Sequence, residues 1–203
     1  MPLESRVSPF VELFATPARG TLMGNRGGRL HDQERKLTSR RWTSKQWICC
    51  KLEFNDRHRK VWGDSYTELF FLDEVTAFAA GHRPCFECRR KDFMRFAGLF
   101  MERSQRATAD EMDRRLHAER LDGKAKRLHS CAIDDLPDGA MVARGDEAFA
   151  VRGGDLLRWS PQGYTESMPR SRGSDVCLLT PPSITAVLAR GYVPLWHPSA
   201  QKT

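Results

Sequence analysis

One short stretch constrains this chain more than any other. A strand-like Phe70-Phe71-Leu72 leads into a helix-length segment and then Gly81-His82-Arg83-Pro84-Cys85-Phe86-Glu87-Cys88. Asp73 is a good N-cap and Gly81 a good residue to follow a helix end, so a short helix is bracketed between them. Pro84 cannot continue that helix and turns the chain into the cysteine pair. Two thiolates three positions apart on a tight turn can grip one tetrahedral ion, and zinc is the usual occupant. A second thiol pair, Cys49-Cys50, lies in the strand-like run Trp47 to Phe54. The expected site is therefore a Zn2+ ion held by Cys85, Cys88 and at least one of Cys49 and Cys50. Adjacent strand residues face opposite sides, so one of the two reaches the ion. His58, His82, His31 and Glu53 are the alternatives for a fourth ligand. The competing reading is reduced, buried cysteines acting as small hydrophobes.

A length of 203 residues suits one domain or two small ones. Lys and Arg number 33 against 26 for Asp and Glu, and the formal charge of +7 favours an anionic partner. No apolar run approaches the ~20 residues needed to span a bilayer. The first residues lack the pattern of a signal peptide, so six cysteines read as metal ligands rather than disulfides, and a bacterial-type cytoplasm is the expected compartment.

The expected fold class is α+β, in four stretches. Residues 1–41 read as a basic, irregular segment containing Gly24-Asn25-Arg26-Gly27-Gly28-Arg29, a run able to cradle a phosphate or to be a plain surface turn. Residues 42–92 form the zinc module, a small α/β unit. Residues 93–130 are helical: Phe93, Phe96, Ala97, Phe100 and Met101 predict an amphipathic helix over 91–104, and the capping box Thr108-Ala109-Asp110-Glu111 opens a second that runs to Gly123. Residues 131–203 form a small antiparallel sheet or barrel, with strands expected near 140–144, 148–152, 156–160 and 175–179 and a short helix over 183–190 closed by Gly191. Trp159, Tyr164, Tyr192, Trp196 and His197 there either line a pocket or pack as core.

The stretch around the knuckle resembles the second half of the zinc-binding N-terminal domain of the bacterial Ada alkylation-repair proteins. Phe70, Phe71, Ala79, Ala80, Gly81, Arg83, Pro84, Cys85 and Cys88 carry the likeness, which covers about residues 42–92. His82 stands where that family has Phe or Tyr. The family's first cysteine pair is spaced Cys-x-x-x-Cys, whereas Cys49 and Cys50 are adjacent. The resemblance implies zinc, DNA binding and a role in DNA repair, with one cysteine of the first pair accepting a methyl group from a DNA phosphotriester.

The residues themselves point to nucleic acid as well. Between positions 26 and 60 eleven basic residues face four acidic ones, with Trp42, Trp47 and Trp62 interleaved. Cations with flat aromatics suit phosphate contacts and base stacking, although a solvated basic face has the same composition. The expected contact residues are Arg26, Arg29, Arg40, Arg41, Lys45, Arg57, Arg59, Lys60, Arg83, Arg89 and Arg90. The leading expectation is a zinc-containing DNA-binding protein directed at damaged or modified DNA. One alternative is an enzyme acting on nucleic acid, through Cys49 or Cys50 as methyl acceptor, or through a nuclease-like pair, His117 and Glu119. Those two positions diverge by about 200° on a helix, against their working together. A zinc deaminase would need His-x-Glu ahead of Pro-Cys-x-x-Cys, and the chain's His117-Ala118-Glu119 comes after Cys88. A zinc-stabilised protein-interaction module is the remaining alternative.

Overall fold

A computed structural model describes residues 2–56, 60–101 and 107–201. Its elements are β1 (Arg6–Val7), β2 (Leu13–Phe14), β3 (Leu22–Asn25), β4 (Ile48–Cys50), β5 (Leu69–Phe71), α1 (Glu74–Ala79), β6 (Arg83–Pro84), α2 (Arg90–Phe100), α3 (Ala109–Arg120), the small hairpin β7 (Leu121–Asp122) and β8 (Ala125–Lys126), then β9 (His129–Ala132), β10 (Met141–Arg144), β11 (Glu147–Arg152), β12 (Asp155–Ser160), β13 (Gly163–Pro169), β14 (Asp175–Leu178) and α4 (Pro182–Ala189). The fold is α+β.

Two six-stranded sheets organise it. The first, in order β2-β1-β5-β3-β4-β6, is mixed: β1 runs parallel to β5 and β4 parallel to β6. The second, β13-β12-β11-β10-β14-β9, is wholly antiparallel. Its turns place Gly145 and Gly153 at positive φ, as tight connections between twisted strands require.

The stretch 1–41, expected to be irregular, supplies three strands of the first sheet. Gly24 shows why a glycine-rich run becomes a strand here. A Cβ on it would lie 2.0 Å from the Ile48 carbonyl oxygen and 2.9 Å from the Phe71 ring, so only glycine lets β3 sit between β4 and β5. The run is therefore a strand and its turn rather than an open phosphate cradle.

Helix α1 is the hinge of the architecture, and every one of its residues is buried. Asp73 caps it through the Thr76 N–H at 2.9 Å. The helix ends in a Schellman arrangement: Gly81 N–H donates to Phe78 O and His82 N–H to Ala77 O, with Gly81 at φ +79°. Leu72, Val75 and Ala79 pack against Met141, Ala150, Leu157 and Tyr164 of the second sheet, while Ala77 and Ala80 join the core of the first. Phe78 packs with Phe93 and Phe96 of α2 and with Ile184 and Val187 of α4. The stretches 42–92 and 131–203 thus meet across one buried helix.

Both carboxylates at the start of α1 are satisfied from the far end of the chain. Asp73 accepts the Tyr164 hydroxyl at 2.9 Å and the His197 N–H at 3.0 Å. Glu74 accepts the Tyr192 hydroxyl at 3.0 Å and the Leu195 N–H at 2.9 Å. The Trp159 indole N–H reaches the Thr76 hydroxyl, and Trp196 packs on Tyr164. The C-terminal aromatic set is thereby engaged in packing and bracing rather than lining a ligand pocket. None of the helices among the described residues is long and apolar enough to cross a membrane.

Candidate metal centre

Strand β4 ends at Cys50, and the short β6 runs parallel beside it, with Ile48 opposite Arg83 and Cys49 opposite Pro84. The Cys85 N–H donates to the Cys49 carbonyl at 2.9 Å and continues that ladder by one residue. Parallel pairing therefore brings Cys50 and Cys85 to the same end of the sheet. The chain then turns through Phe86 and Glu87, and Arg89 N–H closes the turn on the Cys85 carbonyl at 3.1 Å before α2 begins. The sulfurs of Cys50, Cys85 and Cys88 all lie within 4.8 Å of one another, a group able to hold a metal ion.

The surroundings favour thiolate at Cys85. Hydrogen bonds from the Cys50 and Cys88 thiols, and from the Cys88 and Glu87 backbone N–H groups, hold the Cys85 thiol well below the usual range. Cys50, the donor in that exchange, is pushed up by its hydrogen bonds to Cys85 and Cys88. The Cys88 thiol is raised: a hydrogen bond with Cys50 and the Lys51 backbone N–H pull it down, but its hydrogen bond to Cys85, burial and the Cys85 charge outweigh them. The N-terminus of α2 follows directly and adds a favourable dipole for negative charge. Soft sulfur donors in a tight group with N–H···S support fit zinc.

Cys49 is not part of this group. It sits on the opposite face of β4, fully buried in the core of the first sheet with Trp47, Leu69 and Phe71. Burial pushes its thiol up, against the pull of Arg89, whose Nη1 lies 3.7 Å from the sulfur. The expected candidacy of Cys49 as a ligand or methyl acceptor is corrected by that alternation. Two of the histidines expected as fourth ligands, His82 and His31, are placed elsewhere. His82 is sealed between Phe71, at 4.7 Å, and Trp47, at 5.0 Å. His31 bonds Thr67 Oγ1 at 2.7 Å and Gly63 O at 3.0 Å while stacking on Trp62. His58 lies outside the described residues, as do Arg57 and Arg59.

The three sulfurs also form one wall of a pocket of about 600 Å3. Its floor is one pleated face of the first sheet: Met23 is the register partner of both Cys50 and Phe70, and Asn25 of Ile48. The opposite face, with Leu22, Cys49, Leu69 and Phe71, is core. Leu52, Phe54 and Val61 line the walls, together with Glu53, one of the expected fourth-ligand residues. Glu68 lines it too; its Oε2 accepts the Trp62 N–H at 2.7 Å, while the buried Oε1 has no hydrogen-bond partner among the described residues. Sequence reasoning missed Glu68, because no local pattern distinguishes it from a surface carboxylate.

The basic residues divide. Arg26, Arg83 and Arg89 are buried and engaged internally, which removes them from the expected nucleic-acid surface. Arg26 bonds the Val11 carbonyl at 2.9 Å and lies 4.1 Å above the Trp47 ring, with Arg120 at 4.0 Å on that same indole. Arg83 forms a two-pronged pair with Asp113 at 2.8 and 2.7 Å. Arg89 pairs with Glu74 at 2.7 Å and Asp92 at 2.8 Å. Arg41 is partly covered beside Glu12. Arg29, Arg40, Lys45, Lys60 and Arg90 are exposed.

His117 and Glu119 do not converge. His117 Nδ1 accepts from Arg120 at 3.1 Å and the ring packs edge-on to Trp42. Glu119 accepts the Ser183 N–H at 2.9 Å and its hydroxyl at 2.6 Å, tying α3 to the start of α4. Their expected catalytic pairing gives way to two structural roles.

No family model, curated protein or solved structure matches this chain.

Proposed function

We propose that this is a zinc protein whose three-thiolate centre works on a ligand held in the adjoining pocket. One observation carries the reading: the sulfurs of Cys50, Cys85 and Cys88 that fit a single ion are also the wall of a 600 Å3 pocket. Structural zinc is normally closed by four protein ligands, whereas a working zinc keeps a position for something else. Bound zinc supplies Lewis acidity and keeps its sulfur ligands deprotonated at neutral pH. Cys50 is the residue of the adjacent pair that retains the alkyl-acceptor role implied by the Ada-like resemblance, since it faces the pocket and Cys49 does not. Metal analysis of protein purified without chelator tests this. About one zinc per chain is expected, lost in Cys50→Ser, Cys85→Ser and Cys88→Ser and kept in Cys49→Ser. Metal-free parent protein, or equal loss in Cys49→Ser, refutes it.

A second reading, DNA binding, is favoured by the exposed Arg29, Arg40, Lys45, Lys60 and Arg90 and by the +7 formal charge. Binding to a labelled duplex that weakens steeply as salt rises is the expected result. Affinity indifferent to salt removes the reading.

A further inference from the structure

The pocket beside the sulfurs has a chemical character of its own, and it narrows what can enter. A divalent ion with three thiolates carries a net negative charge. Glu53, Asp56, Glu68 and Glu87 line the same pocket, and among its described lining residues Lys51 is the one cation. Among the described lining residues carboxylates outnumber cations, and the buried Glu68 is little screened, so an anionic ligand meets like charge at the inner end of the pocket. The floor is largely apolar, built from Met23, Ile48 and Phe70 with Asn25 among them and Leu52 and Phe54 beside them. Glu68, 3% exposed, holds an oxygen that nothing among the described residues satisfies. A buried acceptor of that kind is costly unless a donor arrives.

We propose that the pocket takes a small nitrogen heterocycle, neutral or cationic overall, which gives an uncharged ring nitrogen to the metal and an N–H to Glu68. The proposal rests on the metal-centre reading above and names its ligand class. Nitrogen suits the remaining position because zinc accepts N and S donors, and an uncharged ring nitrogen adds no further negative charge to the centre. A flat ring matches the largely apolar floor, and its N–H supplies the missing partner of Glu68. The volume is within the usual range for small-ligand sites, roughly 300–1,000 Å3.

The test uses the full chain with Co2+ in place of zinc, because the visible bands of tetrahedral cobalt–thiolate report each change of ligand. Benzimidazole and benzoate are the probes, similar in size and opposite in charge preference. The expected result is a saturable band shift with benzimidazole and none, or one at far higher concentration, with benzoate. Glu68→Gln keeps an acceptor for the Trp62 N–H, and is expected to weaken benzimidazole binding roughly tenfold or more, the loss for one hydrogen bond to a charged acceptor. Benzoate binding as well as benzimidazole overturns the charge argument. Bands unmoved by either probe in the parent, but opened to benzimidazole by His58→Ala or Glu53→Gln, show that the chain fills the position itself and overturn the proposal. Bands unmoved in parent and variants alike overturn it too. Failure of the parent to bind cobalt stoichiometrically through Cys50, Cys85 and Cys88 is a different result, and takes down the metal-centre reading as well.

Discussion

Glu74 and Arg89 face each other at 2.7 Å with both side chains closed off from solvent. The pair joins the first turn of α1 to the residue immediately after the cysteine knuckle. Glu74 is held in turn by Tyr192 and Leu195 near the end of the chain, so the knuckle is anchored from two directions. Burial pushes the Glu74 carboxyl up, and Arg89 is the charge that opposes this. Removing one member strands the other in the core. Glu74→Gln or Arg89→Met is expected to cost about 3–5 kcal/mol of folding stability. Denaturant unfolding measures it, and a loss below about 1 kcal/mol shows the pair to be dispensable.

A very close backbone approach in the first sheet lies one strand away from Cys50. In Gly24→Ala the new methyl meets the Ile48 carbonyl and the Phe71 ring, so β3 and β4 must move apart. A cost of about 1–3 kcal/mol is expected for such overpacking. Because Cys50 ends β4, the same variant is expected to bind metal more weakly. Unchanged metal affinity in a destabilised Gly24→Ala protein disconnects the strand from the centre.

Acid sensitivity follows from the histidines. Burial first, then Arg120 and Lys45, lower His117 from 6.5 to about 4. Burial, Arg26 and Arg120 hold His82 well below 6.5. Both take up a proton more readily in the unfolded chain, so their contribution is complete above about pH 6.5 and drains away as pH falls. Asp73 and Asp113, raised by burial, act in the opposite sense at acid pH. The clean readout is therefore a difference. His117→Gln is expected to lose less stability than the parent between pH 6.5 and 4. Parallel stability curves for the two proteins contradict the assignment.

Glu119 behaves as a cap supplied from another helix. Glu119→Ala frees the Ser183 N–H and hydroxyl at the start of α4 and is expected to cost about 1–2 kcal/mol. Adding Ser183→Ala is expected to cost clearly less than the sum of the single changes, since the two share one interaction. Full additivity in the double-mutant cycle rules the cap out.

What could be read in the sequence was what local chemistry decides. Asp73 and Gly81 bracket α1 as expected, and Thr108 with Glu111 forms the capping box that opens α3. Strands β10, β11, β12 and β14 appear where expected and α4 closes at Gly191, whereas β13 (Gly163–Pro169), the partner of β12, was not foreseen. The opposed faces of Cys49 and Cys50 followed from strand alternation alone. Other features have causes distant in the chain. Strands β1 and β2 are two residues each and exist because Arg6 pairs with Phe14 and with Phe70. Arg83 looked like a surface cation because its partner, Asp113, is 30 positions away. Helix α2 spans Arg90–Phe100, while part of the longer expected helix falls outside the described residues. The pocket was unreadable because its floor comes from three strands whose register only the folded sheet defines.

The bracing of α1 has a consequence for the order of events during synthesis. Cys50, Cys85 and Cys88 leave the ribosome early, yet Asp73 and Glu74 find their full set of donors only when residues 192–197 have been made. Until then Glu74 has only Arg89 and water, and Asp73 only Thr76 and Tyr164. A nascent chain stalled before Tyr192 should therefore hold metal loosely or stay open to protease around α1, and lock as the last aromatic residues dock. Residues 192–197 thus act on the cysteine knuckle as a late-arriving clasp, and removing them is expected to unsettle α1 and the sulfur group together.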